Sequence, residues 1–546
     1  MKFLNFSFIL VFMLLIVSCS KEIKKEAPLF ENLGTLHFPV TTNSDDAQKY
    51  FDQGLILSFA FNHAEAFRSF REASRLDSNC AMAYWGMALV LGPNINAAME
   101  KGDIPTAYDA IEKAISISNL VTIQEKAYIF ALAQRYSREE LDDRSHLDSA
   151  YAEAMRMLVK KYPDDLHGKT LLAEALMDLH PWDYWEKDGT IKPWTGEILS
   201  LLEDVIKNNP DHHGANHLYI HAVEASKNAG LALQSADKLR NLAPAAGHLV
   251  HMPSHIYIRV GRYHDGSLAN ELAVKSDEEY LTQCRQQGLY PVTYYPHNYH
   301  FLWATATLEG RKKTAVDAAL KVTEKTNDSL MSVCGYGTLQ HYYVIPLYAY
   351  VRFGMWEEIL KHQKPSDDML YPNGVWHYAR GMAFLGLNQL DDAEKELIRL
   401  KEISMNQYLE NINIWGINGV TELLEIASLV LEGELEAKQK NFDKAISLLQ
   451  KASGIEFTLN YNEPPDWFYP VRNNLGSVLM QAGKYSEAEK IYLEDLNEYP
   501  ENGWSLIGLK NSLDAQNKTE ESKKVAERFK EAWKYSDIEL TDSRIL

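Results

Sequence analysis

From residue 43 to the carboxyl end, apolar residues recur at three- and four-residue intervals, in stretches broken by short turns rich in Gly, Pro, Asn and Asp. That interval is one face of an α-helix. The strict alternation that marks a half-buried strand is almost missing, so the pattern predicts helix after helix. The turns keep a fixed beat. Pro210 and Pro244 stand thirty-four positions apart, each in a motif that closes one helix and opens the next, Asn-Asn-Pro-Asp from residue 208 and Asn-Leu-Ala-Pro from residue 241. Near the start, Ala66, Phe70, Ala73 and the Leu76-Asp77 turn, followed by Ala83-Tyr84, fit the same template. Near the end, Leu475-Gly476, Gly483, Tyr485, Ala488, Tyr492 and Pro500 fit it again.

This pattern resembles the tetratricopeptide repeat (TPR), an antiparallel helix pair with that same period and with small residues where the helices cross. The match covers most of residues 45–535 and is strongest at 45–95, 200–280 and 465–530, with insertions at 180–198 and 281–296. The stretch has room for about 14 units at most, and insertions reduce this to about 9 to 12. The resemblance implies an all-α, right-handed superhelical solenoid of TPR-like helix pairs. Its first helices would line a concave groove, the surface on which such arrays usually receive a protein or peptide partner. The expected division is a signal peptide at 1–18, an acylated tether at 19–42, N-terminal repeats with an aromatic insertion at 43–200, histidine-rich central repeats at 201–362 and C-terminal repeats at 363–546.

The amino end adds a location. Met1 and Lys2 open a short positive region and Phe3 to Val17 is nearly all apolar, too short for a comfortable membrane span and shaped like a secretion signal. Ile16-Val17-Ser18-Cys19 resembles a bacterial lipoprotein box, which implies cleavage before Cys19 and acylation of its thiol and new amine. Ser20 and the lack of a following acidic run imply an outer-membrane lipoprotein of the cell envelope that faces the periplasm, attached through its lipid. Cys80, Cys284 and Cys334 then remain, too few for a disulfide framework, with Cys284–Cys334 the favoured pair. The net charge of −20 repels nucleic acid and anionic lipid, so a nucleic-acid partner is not expected.

Candidate chemistry lies in the histidines. Ten of the 18 fall between His212 and His300, and their phase is regular. His217 and His221 follow Pro210 by seven and eleven positions, and His251 and His255 follow Pro244 by the same seven and eleven. Turn glycines give a second ruler. His248 and His251 precede Gly261 by thirteen and ten positions, His297 and His300 precede Gly310 by the same thirteen and ten, and His341 precedes Gly354 by thirteen. At about 100° per residue, His248, His251 and His255 lie within roughly 60° of one another, as do His217, His221 and Glu224. Val250, Ser254 and Tyr257, suited to packing on neighbouring helices, centre roughly 130° away. The stripe is therefore not selected by ordinary helix packing, and the resemblance puts it on the concave face. First helices stack about 8–10 Å apart, close enough for imidazoles on adjacent coils to share an ion.

The expected ligands are His217, His221, Glu224, His251 and His255, with His248, His297 and His300 supporting them or holding a second ion. Glu224 would be a ligand or a catalytic general base. Imidazole with carboxylate suits a divalent transition metal (Zn, Fe, Mn or Cu) rather than Ca or Mg. The function so read is a lipid-anchored TPR protein with a metal-binding groove, extending to a hydrolytic or redox metalloenzyme. The alternative is a metal-free scaffold docking peptides or an outer-membrane complex. Trp182, Asp183, Tyr184 and Trp185 form an aromatic insertion suited to lining a pocket, as do Tyr295 and His341, and Glu174 and Asp178 are placed to orient histidines. His212 and His213 read as solvated turn residues, His264 as an outer-face residue, and His37, His146 and His362 as surface. The zincin HExxH, GxSxG, P-loop and Rossmann signatures are absent.

Overall fold

A computed structural model describes residues 27–284, 290–326, 330–331 and 335–546. The signal segment, Cys19 and Cys334, and with them the acylation and the Cys284–Cys334 pairing, lie outside the described residues. The chain is an all-α array of TPR-like antiparallel helix pairs, beginning with Asp45–Phe59 against His63–Leu76 and ending with Gly503–Ala515 against Thr519–Ala532. The one sheet among the described residues is a hairpin of two-residue strands, Asn413–Ile414 and Asn418–Gly419. No described helix is long and apolar enough to cross a membrane.

Local chemistry sets the joints. Ser44 accepts from the Ala47 amide, Asp165 from that of Gly168, and Thr122 with Glu125 forms a reciprocal cap, each satisfying amides that a helix start leaves open. Gly261, Gly310 and Gly354 sit in the inter-helix turns with φ of +77°, +74° and +63°, a conformation that glycine adopts without a Cβ clash. Pro253 separates the helix Gly247–His251 from Pro253–Arg259, yet Met252 keeps helical angles (φ −48°, ψ −37°), so His251 and His255 stay on one face.

Three expectations need correction here. Residues 27–42, read as a tether, lie against the array: Leu33, Leu36 and Phe38 are buried, Tyr50 donates to the Ala27 carbonyl at 2.9 Å and Thr41 donates to Glu125. Their few apolar positions suffice to seat a segment that shows no period. Part of the expected insertion at 281–296 is helix, because Tyr290–Leu308 runs through Pro296. His212 and His213 are buried. His212 Nδ1 caps the helix His213–Glu224 by accepting from the Ala215 amide at 3.1 Å, and His213 Nε2 meets the Leu242 carbonyl at 3.2 Å.

The array also closes on itself. Tyr263 donates to the Pro500 carbonyl at 2.8 Å, Trp504 Nε1 to the Thr307 carbonyl at 3.0 Å, and Asp537 accepts from the Lys312 and Lys313 amides at the start of Lys312–Lys325. At the other end the turn after Asp45–Phe59 reaches the helix His213–Glu224, where a Cβ on Gly214 would sit 2.6 Å from the Phe59 ring. The groove becomes a chamber. The apolar core divides between Tyr257 and Ile258, and the histidine stripe straddles that seam.

Candidate metal centre

Seven donors of the predicted stripe converge in the chamber. They do not meet at one point, as a five-donor site would require; they form three overlapping groups. His217, His221 and His248 each bring one donor atom within 4.8 Å of the others, and so do His251, His255 and His297, and His221, Glu224 and His255. All but His297 are buried, and His297 is half-buried.

The hydrogen bonds fix which nitrogen is free. His217 Nδ1–H donates to the Phe59 carbonyl at 2.6 Å, so its Nε2 carries a lone pair. His221 Nδ1–H donates to Glu224 Oε1 at 2.6 Å and His255 Nδ1–H to Glu224 Oε2 at 2.5 Å. His251 Nδ1–H donates to Asn270 Oδ1 at 2.7 Å, an amide held the right way round because Asn270 Nδ2 donates to the Gly266 carbonyl. Glu224 is thus an acceptor shared by two imidazoles, and its second oxygen also accepts from the Tyr461 hydroxyl at 3.1 Å. With both oxygens engaged, it orients His221 and His255; the sequence reading has it as a ligand or general base, and one of its oxygens also groups with donor atoms of those two rings.

One contact points to a cation. His251 Nε2 and His255 Nε2 approach to 2.9 Å, with both Nδ1 atoms turned to other partners. If both rings are neutral with the proton on Nδ1, two lone pairs oppose each other, and a cation between them removes the repulsion. Two nitrogens about 2.0–2.1 Å from one tetrahedral ion stand roughly 3.3 Å apart; here the pair is at 2.9 Å, and His217 Nε2 to His248 Nε2 is 3.2 Å. His221 Nε2 and His297 Nδ1 are buried with no hydrogen-bond partner.

The electrostatics agree. Burial pushes His217, His248, His251 and His297 well below the ordinary imidazole range, and the neighbouring imidazoles add to the effect, so these rings are neutral donors. Burial also lowers His221, against the pull of Glu224. Burial works to raise Glu224, but His255 and His221 outweigh it and hold the carboxyl well below the usual range. The result is an ionised carboxylate, fully buried, whose partners are imidazoles and a phenol, a charge that an adjacent cation would offset.

Aromatic side chains enclose the cluster. Phe61 lies 4.6 Å from His217, Trp182 lies 5.2 Å from His221 and Trp415 lies 6.2 Å from His297, ring centre to ring centre. All three hold positive φ (53°, 61° and 54°), costing on the order of 1–3 kcal/mol each, and bulky residues in that conformation are uncommon outside functional sites. Trp182, Trp415, Tyr294 and Ile417 wall a cavity of about 140 Å³ whose floor is His221, Glu224, His248, His255 and His297. Glu463, also on this wall, is buried with its Oε2 unpartnered. Burial pushes its carboxyl up to about 8, against Arg259. Sequence reasoning missed Phe61, Trp415, Tyr461 and Glu463.

Other expected lining residues lie outside that wall. Asp183 pairs with Lys192 at 3.0 Å, and Tyr184 is buried with its hydroxyl 3.4 Å from the Met177 carbonyl. Tyr295 donates to Glu278 at 3.2 Å. Asp178 pairs with Arg135 at 2.7 Å, and Glu174 belongs to that same buried charged group, so neither orients a histidine. His300 stacks on Trp303, and His341 Nδ1 bonds the Tyr371 hydroxyl at 2.8 Å. His264 pairs with Glu309 at 2.9 Å.

No protein-family model and no curated protein matches the chain. Among solved structures, a human IFIT1 dimer with m7Gppp-AAAA is 13% identical over 90% of each chain, with a TM-score of 0.30. Yeast Tom70 is 12% identical over 89% of this chain and 96% of that one, with a TM-score of 0.30. The P58(IPK) TPR domain is 13% identical over 67% of this chain and 93% of that one, with a TM-score of 0.19. Likenesses of this size carry no ligand or partner across, and function must be argued from the site.

Proposed function

We propose that this chain is a lipid-anchored, periplasm-facing metalloprotein whose chamber holds a divalent transition ion on three histidines, next to a pocket for a small molecule. The close approach of His251 Nε2 and His255 Nε2, at 2.9 Å, with a donor atom of His297 grouped beside them, carries this reading. Three imidazole ligands favour Zn or Cu over Mn, which suits carboxylate-rich shells. Three protein ligands also leave a coordination position open, the arrangement of catalytic rather than structural zinc sites. When bound, such an ion supplies Lewis acidity for hydrolysis or, if redox-active, electron transfer.

The chain's own residues supply the rest. Phe59, Asn270 and Glu224 hold four imidazoles with Nε2 facing inward. Trp182, Trp415 and Phe61 exclude water. Glu463, next to the same cavity, is placed to carry a proton to or from a bound ligand. A cavity of about 140 Å³ compares with the ~150 Å³ that takes up benzene, so the ligand has a small body. A peptide helix does not fit it, which turns the reading away from peptide docking in this groove.

The test is metal analysis of the full chain in detergent, stripped with a chelator and then reloaded separately with Zn²⁺, Cu²⁺, Fe²⁺ and Mn²⁺. Stoichiometric ion whose content falls in the variant His251→Ala with His255→Ala supports the proposal. A folded wild-type chain that retains none of the four ions overturns it.

A further inference from the structure

The three-histidine groups obey a rule. The first takes two histidines four apart on one helix, His217 and His221, and His248 from the next repeat, thirteen positions before that repeat's glycine. The second takes His251 and His255, four apart, and His297, thirteen positions before its own glycine. The ring-centre distances repeat as well. Within the first group they are 4.8, 4.9 and 6.3 Å, and within the second, in the same order, 4.8, 4.9 and 5.9 Å. Each group is capped by one phenylalanine. Phe61 lies 4.6, 6.0 and 5.5 Å from the rings of the first, and Phe301 lies 4.8, 4.5 and 5.3 Å from those of the second.

The supporting hydrogen bonds repeat too. In each group the first histidine gives its Nδ1 proton to a neutral oxygen, the Phe59 carbonyl or the Asn270 amide. In each, the second histidine gives its proton to one oxygen of the same carboxylate, Glu224. Glu224 thus stands between the groups and serves both equally, which a single ion does not require.

Resting on the metal-binding reading above, we infer that the chain binds two transition ions side by side, one in each group, built by successive repeats and linked through Glu224. Both open toward the one cavity, whose floor takes His221 and His248 from the first group and His255 and His297 from the second. A small ligand with two donor atoms is the natural occupant, since each atom meets a different ion.

Counting ions on the reloaded full chain tests this, with Co²⁺ as the probe, elemental analysis for stoichiometry and the visible ligand-field spectrum for coordination. Wild type is expected to hold two Co²⁺ per chain, His248→Ala one, His297→Ala one, and the double variant none. His248→Gln and His297→Gln give the same counts with less disturbance of packing, and circular dichroism verifies folding. Wild type with a single Co²⁺ that either substitution abolishes overturns the two-ion inference and leaves the metal reading standing. Wild type with no Co²⁺, nor any of the four ions above, overturns both.

Discussion

A third turn of the same repeat would carry a third group, and it does not. By the phase rule its members are residue 300, residue 304 and residue 341. His300 and His341 are present, and Ala304 stands where the earlier repeats have His221 and His255. Without that ring the two histidines drift apart, to 5.6 Å between ring centres against 4.9 Å for the equivalent pairs His217–His248 and His251–His297. His341 turns to the Tyr371 hydroxyl and His300 lies parallel to Trp303 at 5.3 Å. Neither lines the cavity. Repetition supplies positions and face; a donor group needs every position filled and the Nδ1 atoms of its two same-helix histidines given acceptors.

The largest effect is expected from imposing the third row's gap on the other two. His221→Ala with His255→Ala leaves each group two histidines, and elemental analysis is expected to find no retained transition metal. Glu224→Ala comes next. It removes the shared acceptor, so affinity for both ions is expected to fall together by about 10–100-fold in a competition titration with a chromophoric chelator. Asn270→Ala tests independence, because His251 alone loses its acceptor, and a similar loss is expected at the second group only.

Smaller effects belong to the third row. Asp466, buried beside Tyr342, Tyr348 and Tyr371, accepts from Asn418 and Asn462, and burial pushes its carboxyl up to about 7. Its folded value exceeds the unfolded one, so its contribution to stability is full below about pH 4 and is lost as pH rises through 7. Relative to wild type, Asp466→Asn is expected to gain on the order of a few kcal/mol between those limits, read as a rising melting-temperature difference. His300→Leu is expected to leave metal content unchanged and to raise stability by about 1 kcal/mol, because both His300 nitrogens are buried without partners.

Much of this was legible in the chain. Prolines 210 and 244 and glycines 261, 310 and 354 mark helix ends by their own backbone limits, so element order and histidine phase follow from counting. What counting does not see is closure. Phe59 meets His217 across 158 positions and Tyr461 meets Glu224 across 237, and no local period links such pairs. The shared role of Glu224 is hidden from counting, since the second histidine competing for it sits on another helix. His212 and His213 read as solvated because the segment over that turn, 27–42, shows no period. One usable signal lies in Phe61 and Trp415, which occupy turn positions where small or polar residues are the rule.

That closure sets the order of events in making the protein. The Phe59 carbonyl, the Glu224 carboxylate and the Tyr461 hydroxyl come from three remote stretches, so a chain still emerging has histidines but no fixed tautomers and no dry enclosure. On the proposed reading, ion capture would wait for these last contacts, and a bound ion would act as a clasp that holds the two halves of the core against reopening.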